Sequence, residues 1–276
     1  MKESSLLAVG SLFLCDLLKA GNLAKKNDVG VQLYSVRKEM LEDAAGTLIK
    51  LANIGYKEIE SAKSEKGNYY GLKPKEIKQI VSDHGMTLRS GHTHIDNDWQ
   101  QSIDEAAEAS QQYLICATLP SSGQTVANYQ KNAELFNKAG EQCKKAGITF
   151  GYHNHKEEFD EENGQVLYDV LLNHVQPNLV TMEMDLGWII AAGKDPLDYF
   201  KKYPGRFPLW HLKDMDLKAQ HSVEFGKGSV SIAAMFQYAK KAGLKYYFVE
   251  QEEYAHTALE SLAYDYDYLA KYEIKL

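Results

Sequence analysis

Residues 151–159 read GYHNHKEEF, two histidines one residue apart and then two glutamates. Imidazole and carboxylate are the groups that bind divalent cations and move protons near neutrality. Comparable residues recur along the chain: Glu60, the pair His92 and His94, Glu183 and Asp185 in MEMDLGW, His211, Lys213 and Asp214 in WHLKD, and Glu250, Gln251 and Glu252 in FVEQE. Each alone has a plainer reading. A lone histidine is usually a hydrogen-bonded surface or core residue. A lone acid after a strand is often a helix cap or first-turn charge, which suits Asp214 and Glu252. The acidic run at 157–162 reads equally as solvated loop. Gathered around one point, an imidazole and two or three carboxylates make a mixed nitrogen and oxygen site suited to Mn2+, Mg2+, Co2+ or Zn2+. Without a cation such carboxylates repel and raise one another's pKa.

Whether these residues converge depends on the elements that carry them. From Val29 onward, short apolar runs alternate with longer stretches of helical period. The runs are VGVQLYS (29–35), YKEIES (56–61), MTLRSGH (86–92), YLICAT (113–118), ITFGYH (148–153), LVTMEM (179–184), FPLWHL (207–212) and KYYFVE (245–250). Helical stretches follow, among them 42–53, 73–85, 102–112, 128–147 and 231–243. Gly85, Gly147 and Gly243 stand where left-handed caps favour glycine, and Pro74 and Pro196 stand near helix starts. Strict alternation means a parallel sheet with crossover helices. Eight such units predict a (β/α)8 TIM barrel as a single domain over 28–276. A doubly wound sheet is the runner-up, but no GxGxxG follows the first strand.

A barrel requires active residues at the C-terminal ends of strands. Glu60, His92, His153, Glu183, Asp185, His211 and Glu250 all fall there. Residues two apart share a strand face, so His153 and His155, Glu183 and Asp185, and His211 and Lys213 can point together toward the barrel mouth.

The bulk numbers narrow the function classes. The chain has 276 residues, 44% hydrophobic and 25% charged, with a net charge of −7. That balance argues against nucleic acid as a partner, and so against an endonuclease on this barrel. Cys15, Cys116 and Cys143 lack metal or disulfide spacing and read as small buried residues. Residues 1–27 resemble the apolar part of a secretory signal, which favours export to the periplasm over a cytoplasmic location. They are too short and polar for a spanning helix, so no stable membrane insertion is expected. A homo-oligomer is compatible with everything above.

The motifs GVQLYSVR, GYHNHKEEF, MEMDLGW with the following AAGKDP, WHLKD and FVEQE resemble the sugar phosphate isomerase/epimerase family, the xylose-isomerase-like TIM barrels. The resemblance runs from about Val29 to the C-terminus. It implies a divalent metal held at the ends of strands five to eight by Glu, Asp, His and Glu. Asp185, His211 and Glu250 match the last three, and His153 stands where the glutamate is usual. Either His153 or Glu158 completes the shell. The family's chemistry is proton abstraction beside a carbonyl through a metal-stabilised enediolate, here with Glu250 on one side and His153, His155 or Glu158 on the other. A sugar or keto-sugar isomerase/epimerase is therefore expected. A metal-dependent lyase or hydratase of 3-keto glycosides, or a non-catalytic sugar-binding barrel, are the alternatives. Lys213 is placed to hold an oxyanion or hydroxyl. Tyr34, Glu60, His92, His94, Trp188 and Gln251 are candidate contacts to the carbohydrate. The loop 224–231 carries two glycines where barrels often bind phosphate.

Overall fold

The computed structural model describes residues 28–272. The segment 1–27, with its signal-like reading and Cys15, lies outside them. Eight parallel strands close into a barrel in chain order. They are β1 (Gly30–Gln32), β2 (Glu58–Ala62), β3 (Thr87–Thr93), β4 (Tyr113–Cys116), β5 (Thr149–His153), β6 (Val180–Asp185), β7 (Leu209–Leu212) and β8 (Tyr246–Val249). Among the described residues no helix is long and apolar enough to cross a membrane.

The helices start and stop for local reasons. Asp43 caps Ala44–Ile54 by accepting from Gly46 N, and Thr125 caps Val126–Lys145 by accepting from Asn128 N. Thr257 and Glu260 form a reciprocal capping box at the start of Ala258–Ala270. Gly85, Gly147 and Gly243 sit at φ +70°, +77° and +79°, the left-handed positions expected of them.

Two elements depart from the sequence reading. The first strand ends at Gln32, whose side chain accepts from Tyr34 N and turns Leu33–Val36 into a 3-10 helix. Tyr34 is therefore on a rim turn and not at a strand end. The helix expected over 231–243 is split into Ile232–Met235, a 3-10 turn at Phe236–Tyr238 and Ala239–Ala242. Phe236, Ala239 and Ala242 are buried, and three-residue winding sets residues three apart in line. The acidic run after β5 is partly ordered, since Glu161–Glu162 pairs antiparallel with Gln165–Val166.

The barrel interior is layered. Tyr113, Ile115, Leu209, Tyr246 and Phe248 form an apolar plug. Below the mouth, Arg89 Nε donates to Glu58 Oε2 at 2.9 Å, with the guanidinium 4.5 Å from the centre of the Tyr246 ring. Alternate residues face the surrounding helices. Trp210 stacks on Phe200 at 4.9 Å, and Tyr152 packs on Phe136 at 4.9 Å. Cys116 and Cys143 are buried among them. The barrel closes where β1 meets β8, through Gly30 beside Phe248 and Val31 beside Val249. A Cβ on Gly30 would lie 2.4 Å from the Tyr247 carbonyl oxygen, so this seam admits only glycine there.

Candidate active site

His153 ends β5, Asp185 ends β6, His211 lies on β7 and Glu250 directly follows β8. One nitrogen or oxygen from each lies within 4.8 Å of all the others, and the four side chains are buried. Asp185 is fixed by the helix it starts, Leu186–Ala191. Its Oδ1 accepts from Trp188 N at 2.8 Å, leaving Oδ2 for the mouth. Asn154, between the two histidines, braces β5 against β6 by accepting from Asp185 N at 3.2 Å. His211 presents Nδ1 to Glu250 Oε2 at 2.8 Å. Lys213 Nζ sits 3.0 Å from Asp185 Oδ2, 2.9 Å from Glu250 Oε2 and 2.6 Å from Glu252 Oε1. Its ammonium lies 4.7 Å from the centre of the Trp188 ring.

The other face of His211 meets a second group. Its Nε2 lies 2.6 Å from Glu60 Oε2 and 3.4 Å from Glu183 Oε2. His92 Nε2 lies 2.6 Å from Glu183 Oε2 and 3.4 Å from Glu60 Oε2. The His92 and His211 rings are nearly parallel, with centres 5.0 Å apart.

Burial and charge set the protonation states. Burial, and then the Glu60 carboxylate beside it, push Glu183 up to about 7. Burial also works against ionised Glu60, but the His92 and His211 imidazoles outweigh it and bring Glu60 down to about 2. Asp185 falls to about 2 because Lys213 overcomes the cost of burial. Lys213 and His211 likewise hold Glu250 well below the ordinary carboxylate range, against burial. Burial, helped by nearby His211, keeps His153 neutral.

Several sequence-predicted residues fall elsewhere. Glu158 does not reach the cluster: Oε1 accepts from Tyr152 OH at 2.7 Å and Oε2 from His155 N at 2.6 Å. Tyr152 alternates with His153 and so faces the helices, which draws Glu158 outward with it. Gln251 is buried and donates to the Glu253 carbonyl at 2.7 Å, away from the cavity. Trp188 packs over Lys213 and beside the His155 ring. Tyr34, His92, His94, His153, His155 and Glu250 line a cavity of about 260 Å3 at the mouth. Lys63, Thr118 and Glu252 line it too. Glu252 is thus no mere cap. Lys63, held 2.8 Å from Asp96, escaped the sequence reading because it lies just beyond β2; the alternation from Ser61 was its only signal.

The loop 224–231 holds no open anion nest. Asp214 Oδ2 accepts from Gly226 N at 2.9 Å and Gly228 N at 3.0 Å, and Oδ1 accepts from Val230 N at 2.8 Å. Lys227 pairs with Glu224 at 3.4 Å. The amides that suggested phosphate are taken by Asp214, which organises a loop instead of capping a helix.

His153, Asp185, His211 and Glu250 fit a divalent cation. Both ring nitrogens of His153 are buried without a hydrogen bond, and Nε2 is 3.5 Å from Asp185 Oδ2. Stranding such polar atoms costs roughly 1–3 kcal/mol each. A neutral imidazole facing ionised carboxylates is the donor set such an ion takes.

A parallel eight-stranded barrel with polar side chains converging at its C-terminal mouth defines the class. The chain belongs to the xylose isomerase-like TIM barrel family, whose sequence profile matches residues 48–272. An inosose dehydratase of Clostridium perfringens (strain 13 / Type A) is 33% identical over 95 residues, 34% of this chain and 31% of that protein. The match therefore spans about a third of that relative's length. A sugar phosphate isomerase/epimerase from Parabacteroides distasonis ATCC 8503 superposes with a TM-score of 0.80 at 28% identity, covering 92% of this chain and 98% of the other. The IOLI protein, solved with a zinc atom, shares the fold with a TM-score of 0.70 at 11% identity over 88% of this chain and 97% of that one.

Proposed function

We propose that this protein is a divalent-cation-dependent dehydratase of a monosaccharide-sized polyhydroxy ketone. It takes a proton from the carbon beside the ketone and expels the hydroxyl on the next carbon as water. The observation that carries this reading is the asymmetry of the mouth. Carboxylates, Glu250 with Glu252 beyond it, face the cavity from the β8 side, while neutral His153 holds the opposing place on β5. Epimerisation is best served by acid/base groups of matched strength on the two faces of one carbon. Elimination needs a base for one carbon and an acid for the oxygen on its neighbour, which unlike groups supply. The inosose dehydratase relative supports this reading, since its name describes loss of water from an inosose. The cavity of about 260 Å3 suits one ring more than a chain of them.

His153, Asp185, His211 and Glu250 would hold the cation, which supplies Lewis-acid polarisation of a carbonyl and offsets enolate charge. The chain's own residues do the rest. Glu250, kept ionised by Lys213 and His211, accepts the proton as the C–H electron pair becomes the new C=C bond. Lys213 places a fixed ammonium beside the negative charge that develops. His155, on the cavity wall and edge-on to His153 at 4.8 Å, donates a proton to the departing hydroxyl as the C–O bond breaks. Tyr34, Lys63, His94 and Thr118 form the rim that orients the hydroxyls.

Isomerisation or epimerisation is the second reading, favoured because His155 and Glu250 both reach the cavity and can serve two faces of a carbon. The test incubates the Mn2+-loaded protein in D2O with inosose, 3-keto glycosides and ketohexoses. Loss of water with a Glu250→Gln decrease of ~10²- to 10⁴-fold is expected. Deuterium incorporation without loss of water would move the assignment to the isomerase. Neither exchange nor product with any substrate and metal would leave a sugar-binding barrel.

A further inference from the structure

The group on the far side of His211 has the makings of a site of its own. One nitrogen or oxygen from each of Glu60, His92, Glu183 and His211 lies within 4.8 Å of all the others, and all four residues are buried. They come from β2, β3, β6 and β7, so the barrel itself sets their spacing. Glu183 stands two residues before Asp185 on β6, one layer deeper than the first group. Two further buried oxygens, Glu60 Oε1 and Glu183 Oε1, make no hydrogen bond. Gln32 Nε2 donates to Glu60 Oε2 at 2.8 Å and steadies that carboxylate.

The charges point the same way. Glu60, Glu183, Asp185, Glu250 and Glu252 crowd the mouth, and Lys213 is the one lysine or arginine paired with any of them among the described residues. Without an ion, His92 and His211, drawn toward their protonated forms by these carboxylates against the cost of burial, supply the balancing charge, and a cation among the four would take over that role. A single cation in the first group leaves Glu60 and Glu183 on the other side of an imidazole ring. His211 has one nitrogen toward each group: Nδ1 toward Glu250 and Nε2 toward Glu60.

We propose that Glu60, His92, Glu183 and His211 form a second divalent-cation site, joined to the first through the His211 ring. Two imidazole nitrogens and two carboxylates favour Zn2+, Co2+ or Mn2+ over Mg2+ or Ca2+. With both sites filled, His211 would offer one ring nitrogen to each ion, and both of its ring protons would pass to solvent. His92 also lines the cavity, so the second ion borders the substrate space.

The test is a metal count on the full chain, stripped with chelator, saturated with Zn2+ and freed of excess. Two ions per chain are expected in the wild type, one in Glu183→Gln, one in Asp185→Asn and none in the double variant. Mn2+ loading adds a readout that needs no variant: electron paramagnetic resonance of the wild type should show a spin-coupled pair. One ion in the wild type that Glu183→Gln retains would overturn the second site and leave Glu60 and Glu183 as groups that orient His211. A second ion persisting in Glu183→Gln would also overturn it, because that ion binds elsewhere. A wild type that binds no ion overturns both sites, which separates failure of this proposal from failure of the first.

Discussion

A histidine at position 153 differs from a glutamate there in two ways that matter to a bound ketone. Its neutral ring brings no negative charge, and its proton affinity differs from that of Glu250 across the cavity. His153→Glu would restore matched carboxylates on β5 and β8. That variant is expected to raise deuterium exchange into the substrate relative to loss of water by about tenfold or more, the scale on which matched general bases act. Comparing the two rates by NMR in D2O checks it; an unchanged ratio would mean that position 153 does not choose the outcome. The convergence of His153, Asp185, His211 and Glu250 was legible from period-two alternation at strand ends. The partnership of Glu60 and His92 with Glu183 was not, because β2 and β3 lie across the barrel from β6 and only closure brings them together. Glu158 misled for the opposite reason. It is near His153 in sequence, but its hydrogen bond to outward-facing Tyr152 carries it out of the interior.

At the scale of elements, side chains that look catalytic are also structural pieces. Asp185 caps a helix with one oxygen and faces the mouth with the other. Asp214 gathers the amides of Gly226, Gly228 and Val230. Removing it strands the buried amide of Val230 and releases the half-buried amides of Gly226 and Gly228, so Asp214→Ala should lower stability by ~1–3 kcal/mol and speed amide hydrogen exchange over 224–230. Denaturant unfolding and exchange mass spectrometry check this; unchanged protection in the loop would count against the role. The glycine pattern of 224–231 could not reveal it, since the same spacing serves a phosphate or a carboxylate. The helix Val126–Lys145, expected over 128–147, was legible because its cap at Thr125 is local. The segment 231–243 was not, because its winding answers to what Phe236, Ala239 and Ala242 must pack against.

For the whole molecule, pH acts through a group outside the mouth. Asp265 is buried, accepts from Phe225 N at 2.8 Å through Oδ1, and leaves Oδ2 without a hydrogen bond. Burial, opposed by that amide and reinforced by Glu224 and Asp214, pushes it up to about 8. An unfolded aspartate titrates near ~3.9. Between those values the folded chain keeps a proton that the unfolded chain has lost, so stability falls as pH rises through the window. Asp265→Asn removes this loss. Its Tm should match the wild type near pH 4 and exceed it at pH 8; parallel Tm curves would reject the assignment. The barrel itself was legible in the alternation of eight runs, while the lengths of its strands were set by neighbours that no single run contains. Its closing seam has a consequence for biogenesis. β8 both seals the barrel against Gly30 and delivers Glu250 to the mouth. A growing chain therefore has neither a finished sheet nor the proposed base until its last strand emerges. Turnover, once it appears, reports that the ring is shut, and an assay for the reaction doubles as an assay for complete folding.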